Sequence, residues 1–363
     1  MEDNIIEYLE VENIGPIKKA KIQTKQVNAF IGKNATGKSI IAKILQVNRE
    51  NEDKKDYNIE EFFFKNSVVN YKSKNFNNKR LTLLDMFVKS LKKDMSLEFL
   101  NNDIKNRTKN IKDLENLELG DVEKKFKEIL ENLFSGRDSY YIPVERNLVP
   151  FFSSYGINLL SAKIPLPQYV IEFATEFRLA KDKIKSSKVF NFEYKFENEE
   201  DRVYFDENNY ISLKNASSGI QAILPLYLTI EYLNSNSKKH YILEEPELNL
   251  FPKEQFEIVK YMIRNSASII FITHSPYVLY SLNILLYAYK VGNLNKNAKE
   301  LVEKIIPSEY WINPKDFSAY YFEKGEVKSF FDNSINDNIL DNVSIELEEI
   351  FDELREIYFK VKK

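Results

Sequence analysis

The chain has 363 residues, 43% of them apolar, and a net charge of −3, which is enough for a core in about two domains, or one large domain with insertions, and gives no global field to draw in nucleic acid or a membrane surface. It has no cysteine and only two histidines, which excludes disulfides, thiol nucleophiles, iron–sulfur clusters and Cys- or His-rich metal sites. The first residues are acidic without a basic leader, and the longest apolar run, near AILPLYL, is far short of the ~20 residues of a membrane span, so the expected location is the cytoplasm, with no membrane partner.

In chain order, residues 5–11 and 17–23 read as strands joined by a turn at Asn13-Ile14-Gly15-Pro16. A third strand, 26–31, runs into Gly32-Lys33-Asn34-Ala35-Thr36-Gly37-Lys38-Ser39, which fits the phosphate-binding pattern G-x-x-x-x-G-K-[ST]. Two glycines let the backbone wrap phosphate oxygens, so that a row of N–H groups points inward. Lys38 supplies a point charge for the β- and γ-phosphates, and the Ser39 hydroxyl can sit on Mg²⁺. Ile40 and the residues after it open a helix whose positive end faces the same anion.

Residues 50–137 shift to Lys, Asn, Glu and Asp, with helical apolar spacing at Leu83, Met86, Phe87 and Leu91, and read as a mainly helical insertion. Its first half is basic (Lys72, Lys74, Lys79, Arg80, Lys89, Lys92, Lys93), either a solvated helix face or a surface for nucleic acid or another partner. Beyond it come a strand and turn at 139–146, a helix at 166–186, and strands at 189–196, 202–205 and 210–213. A helix at 222–233, a strand at 241–244, a helix at 252–265 and a strand at 267–273 follow. The remainder reads as a helix at 277–286, a strand at 286–291, a hairpin in 319–331 turning at Lys324-Gly325, and an amphipathic helix at 343–358. The implied segments are 1–49, the insertion 50–137, the rest of the core at 138–292, and a C-terminal hairpin and helix at 293–363. The fold class is α/β: a P-loop fold with a β-rich N-terminal part and a central, mostly parallel sheet flanked by helices.

Three further clusters carry chemistry. Tyr241-Ile242-Leu243-Glu244-Glu245-Pro246-Glu247 is an apolar strand ending in carboxylates, as a Mg-nucleotide site needs opposite its P-loop. Glu244 is assigned to the metal and Glu245 to activating water as general base. Ser217-Ser218-Gly219-Ile220-Gln221 stands at a helix start, where small hydroxyls and a glycine build an anion site. One P-loop is already present, so a second anion site points to a phosphate contacted from another subunit; an ordinary N-cap is the alternative. Finally, Ile269-Ile270-Phe271-Ile272-Thr273 is a β-branched strand ending at His274, which can reach a γ-phosphate and the lytic water. His240 reads as structural.

These motifs in this order resemble the ABC-type ATPases of the SMC/RecF/OLD group, and more closely its small bacterial AAA-labelled members without a TOPRIM domain, many of them in antiphage defence (Septu, retron-associated and PARIS types). The resemblance runs through GKNATGKS, IPVER, ASSGIQ, LEEPELNLFP, ITHSPY and DFSAYYFEKGEV, leaving out the insertion. It implies a homodimer sandwiching two ATP molecules, each P-loop facing Ser217, Ser218, Gly219 and Gln221 of the other copy. It places Leu248 and Asn249 at the interface and Asn34 beside the water, with catalysis by Glu245, His274 and Lys38. Glu145 and Arg146 stand where a Q-loop would, without its glutamine. The signature departs from LSGGQ, and PELNLFP replaces the PTSALD of transporters. The resemblance implies an ATPase coupled to a separately encoded nuclease or toxin. A RecF-like repair ATPase and an ATP-gated scaffold with negligible turnover remain alternatives.

Overall fold

A computed structural model describes residues 4–50, 68–73, 137–151, 167–198, 200–329 and 331. In chain order the elements are β1 (Glu7–Ile14), β2 (Ile17–Thr24), β3 (Val27–Gly32), α1 (Lys38–Glu50), β4 (Val68–Ser73), β5 (Ser139–Ile142), α2 (Gln168–Lys183), β6 (Ser186–Val189), β7 (Phe192–Glu197), β8 (Glu200–Tyr204) and β9 (Tyr210–Ser212). They continue with α3 (Ser218–Leu233), β10 (Lys239–Glu244), α4 (Pro252–Asn265), β11 (Ser266–Thr273), α5 (Pro276–Gly292), α6 (Lys296–Glu303), β12 (Phe317–Glu323) and β13 (Glu326–Ser329). The chain divides into two compact units, one of Met1–Gln46, Asn58–Asn75 and Lys238–Lys363, the other of Val47–Tyr57 and Phe76–Ser237.

In the first unit the strands run β4-β1-β2-β13-β12-β3-β11-β10. β3 lies parallel to both β11 and β12, and β10 parallel to β11. A parallel strand is covered on both faces, and every residue of β3 is buried, apolar throughout except for Asn28. The wing is antiparallel: β1 pairs with β2 through the turn at Asn13 to Pro16, and β2 buries alternate residues as a strand with one wet face does. Asn28 is the polar pin of the parallel core. Its Nδ2 donates to the carbonyls of Lys25 and Ile269, and its Oδ1 accepts from the Lys25 N–H and the Ser318 hydroxyl, so β3, β11 and β12 share one satisfied buried amide.

Several expected elements change. The helix at 277–286 and the strand at 286–291 are one helix, α5; the run LYAYKV suits either period, but its buried positions Leu282, Leu285, Leu286 and Ala288 recur at helical spacing. The helix ends where Gly292 meets Trp311, whose ring would stand 2.2 Å from an added Cβ. The hairpin in 319–331 is present as β12 and β13, and β12 lies inside the sheet, parallel to β3. The expected strand 189–196 is a hairpin of β6 and β7 turning at Phe190, whose φ is 50°. Within the expected helical insertion the described part is a strand, β4, paired with β1. The rest of its basic half, Lys74 to Lys93, lies outside the described residues, as does the expected helix 343–358.

In the second unit β6 to β9 form an antiparallel meander. Helix α3 starts four residues earlier than the apolar run suggests, because Ser217 caps it. It is buried from Gln221 almost to its end, as a helix apolar on all sides must be.

Candidate functional site

The strand order places the chemistry. β11 stands between β3 and β10, all three parallel, so the loops after their C-terminal ends meet on one edge. Those loops carry the P-loop, His274 and the carboxylates. Ligands of open parallel sheets bind at this edge, where successive loops splay apart.

The P-loop geometry explains its residues. Gly32 has φ 148°, and a Cβ there would lie 2.4 Å from the Phe322 carbonyl oxygen of β12. Gly37 has φ 98°, and a Cβ there would lie 2.7 Å from Ile17. Ala35 is also left-handed, at φ 62°. Left-handed residues set among right-handed ones are a backbone pattern that can form an anion-binding concavity. Lys33, Asn34 and Ala35 are exposed, Thr36, Ser39 and Ile40 half-buried. The Thr36 hydroxyl donates to the Lys33 carbonyl, and the Gly37 carbonyl accepts the Ile41 N–H that starts α1.

Lys38 is 8% exposed, and its ammonium donates to the carbonyls of Gly32 and Lys33, at 2.6 and 2.8 Å. Burial pushes its pKa below the ordinary lysine range, and the charges of Glu245, Glu247 and Glu244, in that order, partly restore it. A cation held inside a ring of peptide groups fits a phosphate that would take over those contacts. Among the described residues no group of three or more His, Cys, Asp or Glu could hold a metal by itself. A Mg²⁺ would therefore depend on phosphate oxygens, with Ser39 and Glu244 as the protein groups offered to it.

Glu244 ends β10 at 5% exposure. Glu245 follows with φ 42°, a left-handed conformation that costs a non-glycine residue on the order of 1 kcal/mol. Its N–H donates to the Ile272 carbonyl, and its side chain is a third exposed. His274 Nδ1 lies 3.5 Å from Glu245 Oε1. A carboxylate and an imidazole thus sit together at a partly open edge, the pairing needed to take a proton from water.

Glu247, quoted in the motif but given no role by the sequence, sits at the centre of the packing. It is 8% exposed. One oxygen, Oε1, accepts from the Thr273 hydroxyl at 2.7 Å, the His274 N–H at 3.2 Å and the Ser275 N–H at 3.1 Å. Ser275 then donates its hydroxyl to Gln255, which donates to the Leu250 carbonyl. The only sequence signal was a third acid just after the pair; its three donors lie far along the chain.

The remaining candidates belong to the second unit. Ser217 caps α3, its hydroxyl accepting the Ile220 N–H at 3.5 Å, and both Ser217 and Ser218 are exposed, with Gly219 half-buried. Gln221 is 8% exposed, and its amide donates to the carbonyls of Leu213 and Lys214. Glu145 and Arg146 lie in a 3-10 turn, Val144–Leu148, with Arg146 buried and donating to the Pro143 carbonyl. In the first unit, His240 shares a hydrogen bond with the Ser268 hydroxyl between β10 and β11.

A family model described as an AAA ATPase domain matches residues 161–279, which take in α3, the carboxylates and His274 but not the P-loop. No curated protein matches the chain. Among solved structures, the chain is similar to CbiO1 of Clostridium perfringens, part of the ABC transporter complex CbiONQ, at 15% identity over 90% of this chain and 88% of that one, with a TM-score of 0.33. It is also similar to an Smc head bound to the C-terminal winged-helix domain of ScpA, at 12% identity over 90% and 97%, TM-score 0.37. An Smc head domain with an extended coiled coil, bound to the C-terminal domain of ScpA from Pyrococcus furiosus, matches at 14% identity over 95% and 99%, TM-score 0.36. No helix among the described residues is long and apolar enough to cross a membrane.

Proposed function

We propose that the chain binds ATP with Mg²⁺ at the P-loop and hydrolyses it to ADP and phosphate. The observation that supports this reading most is the shared edge: P-loop, Glu244 and Glu245, and His274 follow three neighbouring parallel strands. Residues 32 to 40 hold the triphosphate through their N–H groups, and Lys38 leaves its loop carbonyls for the β- and γ-phosphates. Mg²⁺, when bound, neutralises charge on those phosphates. Ser39 and Glu244 hold and orient it. Glu245 takes the proton from the attacking water, and His274 fixes water and γ-phosphate against each other. Asn34 stands at the mouth of the loop and orients the same water.

In this reading two copies close over two nucleotides, with Ser217, Ser218, Gly219 and Gln221 meeting the γ-phosphate bound by the other copy. Exposed Ser217 and Ser218 at a helix N-terminus suit that contact. Closing and reopening then drive a separately encoded effector, a nuclease or toxin, in defence against phage; copurification from the native operon with identification of bound proteins tests that role. The hydrolytic assignment is tested by Glu245→Gln. Removing a general base slows turnover by ~10²–10⁴-fold while leaving nucleotide binding in place. Unchanged turnover would sink the assignment. Tight ATP binding without turnover in the unaltered protein would make it a nucleotide-gated scaffold instead.

A further inference from the structure

We propose that residues 343–358 dock as a helix on the outward side of α5 in the same chain, so that the apolar seam α5 leaves open is covered by an acidic segment of the protein itself. The proposal does not depend on the ATPase reading.

Helix α5 breaks a rule that α3 obeys. Its 17 residues carry no acid and a single lysine, Lys290, and a helix apolar on nearly all sides is ordinarily buried. One side is: Val278, Leu279, Leu282, Leu285 and Leu286 are buried. The other side is open. Tyr277, Tyr280 and Tyr287 are exposed, and Ile284 and Val291 are half-buried in line with them. These five positions step by three and four residues in turn, the spacing of a seam that packs along a second helix. Leu294, also exposed, carries the same stepping past the end of α5. α6 lies against α5 and exposes Leu301, with exposed Ile305 just beyond it. Six of the eleven large apolar side chains exposed among the described residues thus fall within 277–305. Single exposed apolar residues are ordinary, whereas a row of them on one helix face marks a surface for a partner.

Residues 343–358 match this face in spacing, length and charge. Val343, Leu347, Ile350, Leu354 and Ile357 alternate steps of four and three, which is the same kind of seam. As a helix the stretch would run about 24 Å, against about 25 Å for the 17 residues of α5. It holds six acids and one arginine. Across 276–305, Lys290, Lys296, Lys299 and Lys304 outnumber Glu300 and Glu303. Opposite charges beside two apolar seams favour that pairing, and a second copy of α5 would bring only more lysine.

The segment can also reach. The Phe331 ring stands edge-on to Phe317, with 4.8 Å between centroids. Phe317 lies five residues after Ile312, whose N–H donates to the Leu285 carbonyl in the middle of α5. Phe331 is therefore within roughly 25 Å of α5. Eleven residues then lead to Val343, enough to span up to about 40 Å. A tethered partner sits at high effective concentration, so a modest seam suffices to hold it.

The test uses the full chain with the photo-cross-linker p-benzoylphenylalanine in place of Tyr280 and, separately, of Tyr287, exposed positions where the fold tolerates a larger ring. After irradiation the expected product runs as one chain on a denaturing gel, and peptide mass mapping joins each position to residues 343–358. Leu354→Asp sets a charge at the centre of the segment's seam and is expected to cut that product more than about 10-fold, because a carboxylate resists burial in an apolar contact. Asp352→Asn, on the opposite side of the same helix, is the matched control and keeps the product. Products at the mass of two chains would show that a second copy covers the face, and would overturn the proposal. Products on another stretch of the chain would overturn it too, as would no product or a yield unmoved by Leu354→Asp.

Discussion

Glu176 on α2 offers a test of the second unit that owes nothing to nucleotide. It is 4% exposed, and its Oε1 has no hydrogen-bond partner. Burial pushes its carboxyl up from 4.5 to about 8; nearby Arg137 holds the rise back and Glu172 adds to it. The folded protein therefore binds this proton more tightly than the unfolded chain. Its stabilising contribution is complete below pH 4.5 and is lost as pH rises through about 8. At about 1.4 kcal/mol per pH unit over that span, the full loss is about 5 kcal/mol. Glu176→Gln keeps the shape and has no proton to lose. The two proteins should melt together near pH 4.5, and the variant should gain steadily to pH 9, reaching roughly 10 °C at about 2 °C per kcal/mol. Calorimetric melts of both proteins across that range, at fixed ionic strength, measure the difference with every other titration cancelled. A difference that stays flat with pH would mean that Glu176 is ionised in the fold and paired with Arg137, and the burial argument would be wrong.

Gly32→Ala forces a Cβ to 2.4 Å from the Phe322 carbonyl oxygen at φ 148°, and should cost about 1–3 kcal/mol while abolishing binding of a fluorescent ATP analogue. A wild-type denaturation midpoint in that variant would show that β12 does not crowd the P-loop. Ser218→Arg places a bulky cation at an exposed helix start and should leave stability within about 0.5 kcal/mol and ATP binding intact. It should remove ATP-dependent dimers in light scattering; dimers that persist, with normal turnover, would refute contact across two copies.

Local physics made much of this protein legible in its sequence. Residues 32 to 39 need glycine where the backbone passes close to its neighbours, and a Cβ added at Gly32 or Gly37 would strike Phe322 or Ile17. A largely apolar run marks a strand buried on both faces, and Val27–Gly32, Tyr241–Leu243 and Ile269–Ile272 all carry that mark. The turn at Lys324-Gly325 and the cap at Ser217 follow from residue chemistry within a few positions.

Long-range pairing was not legible. Nothing near residues 317–323 says that this late segment becomes the strand beside β3, since an apolar stretch reads alike at an edge or in the interior. The run at 286–291 suited strand as well as helix, and burial of Leu282, Leu285, Leu286 and Ala288 at helical spacing goes with α5. The role of Glu247 was invisible for the same reason. Its charge could be read, but the Thr273 hydroxyl and the N–H groups of His274 and Ser275 that define its use arrive from the next parallel strand. The sequence by itself determined which segments carry the two loop glycines, Lys38, the carboxylates and His274. Only the order β3-β11-β10 decided that they share one edge, because register between strands distant in sequence is set by burial of whole faces and not by neighbours along the chain.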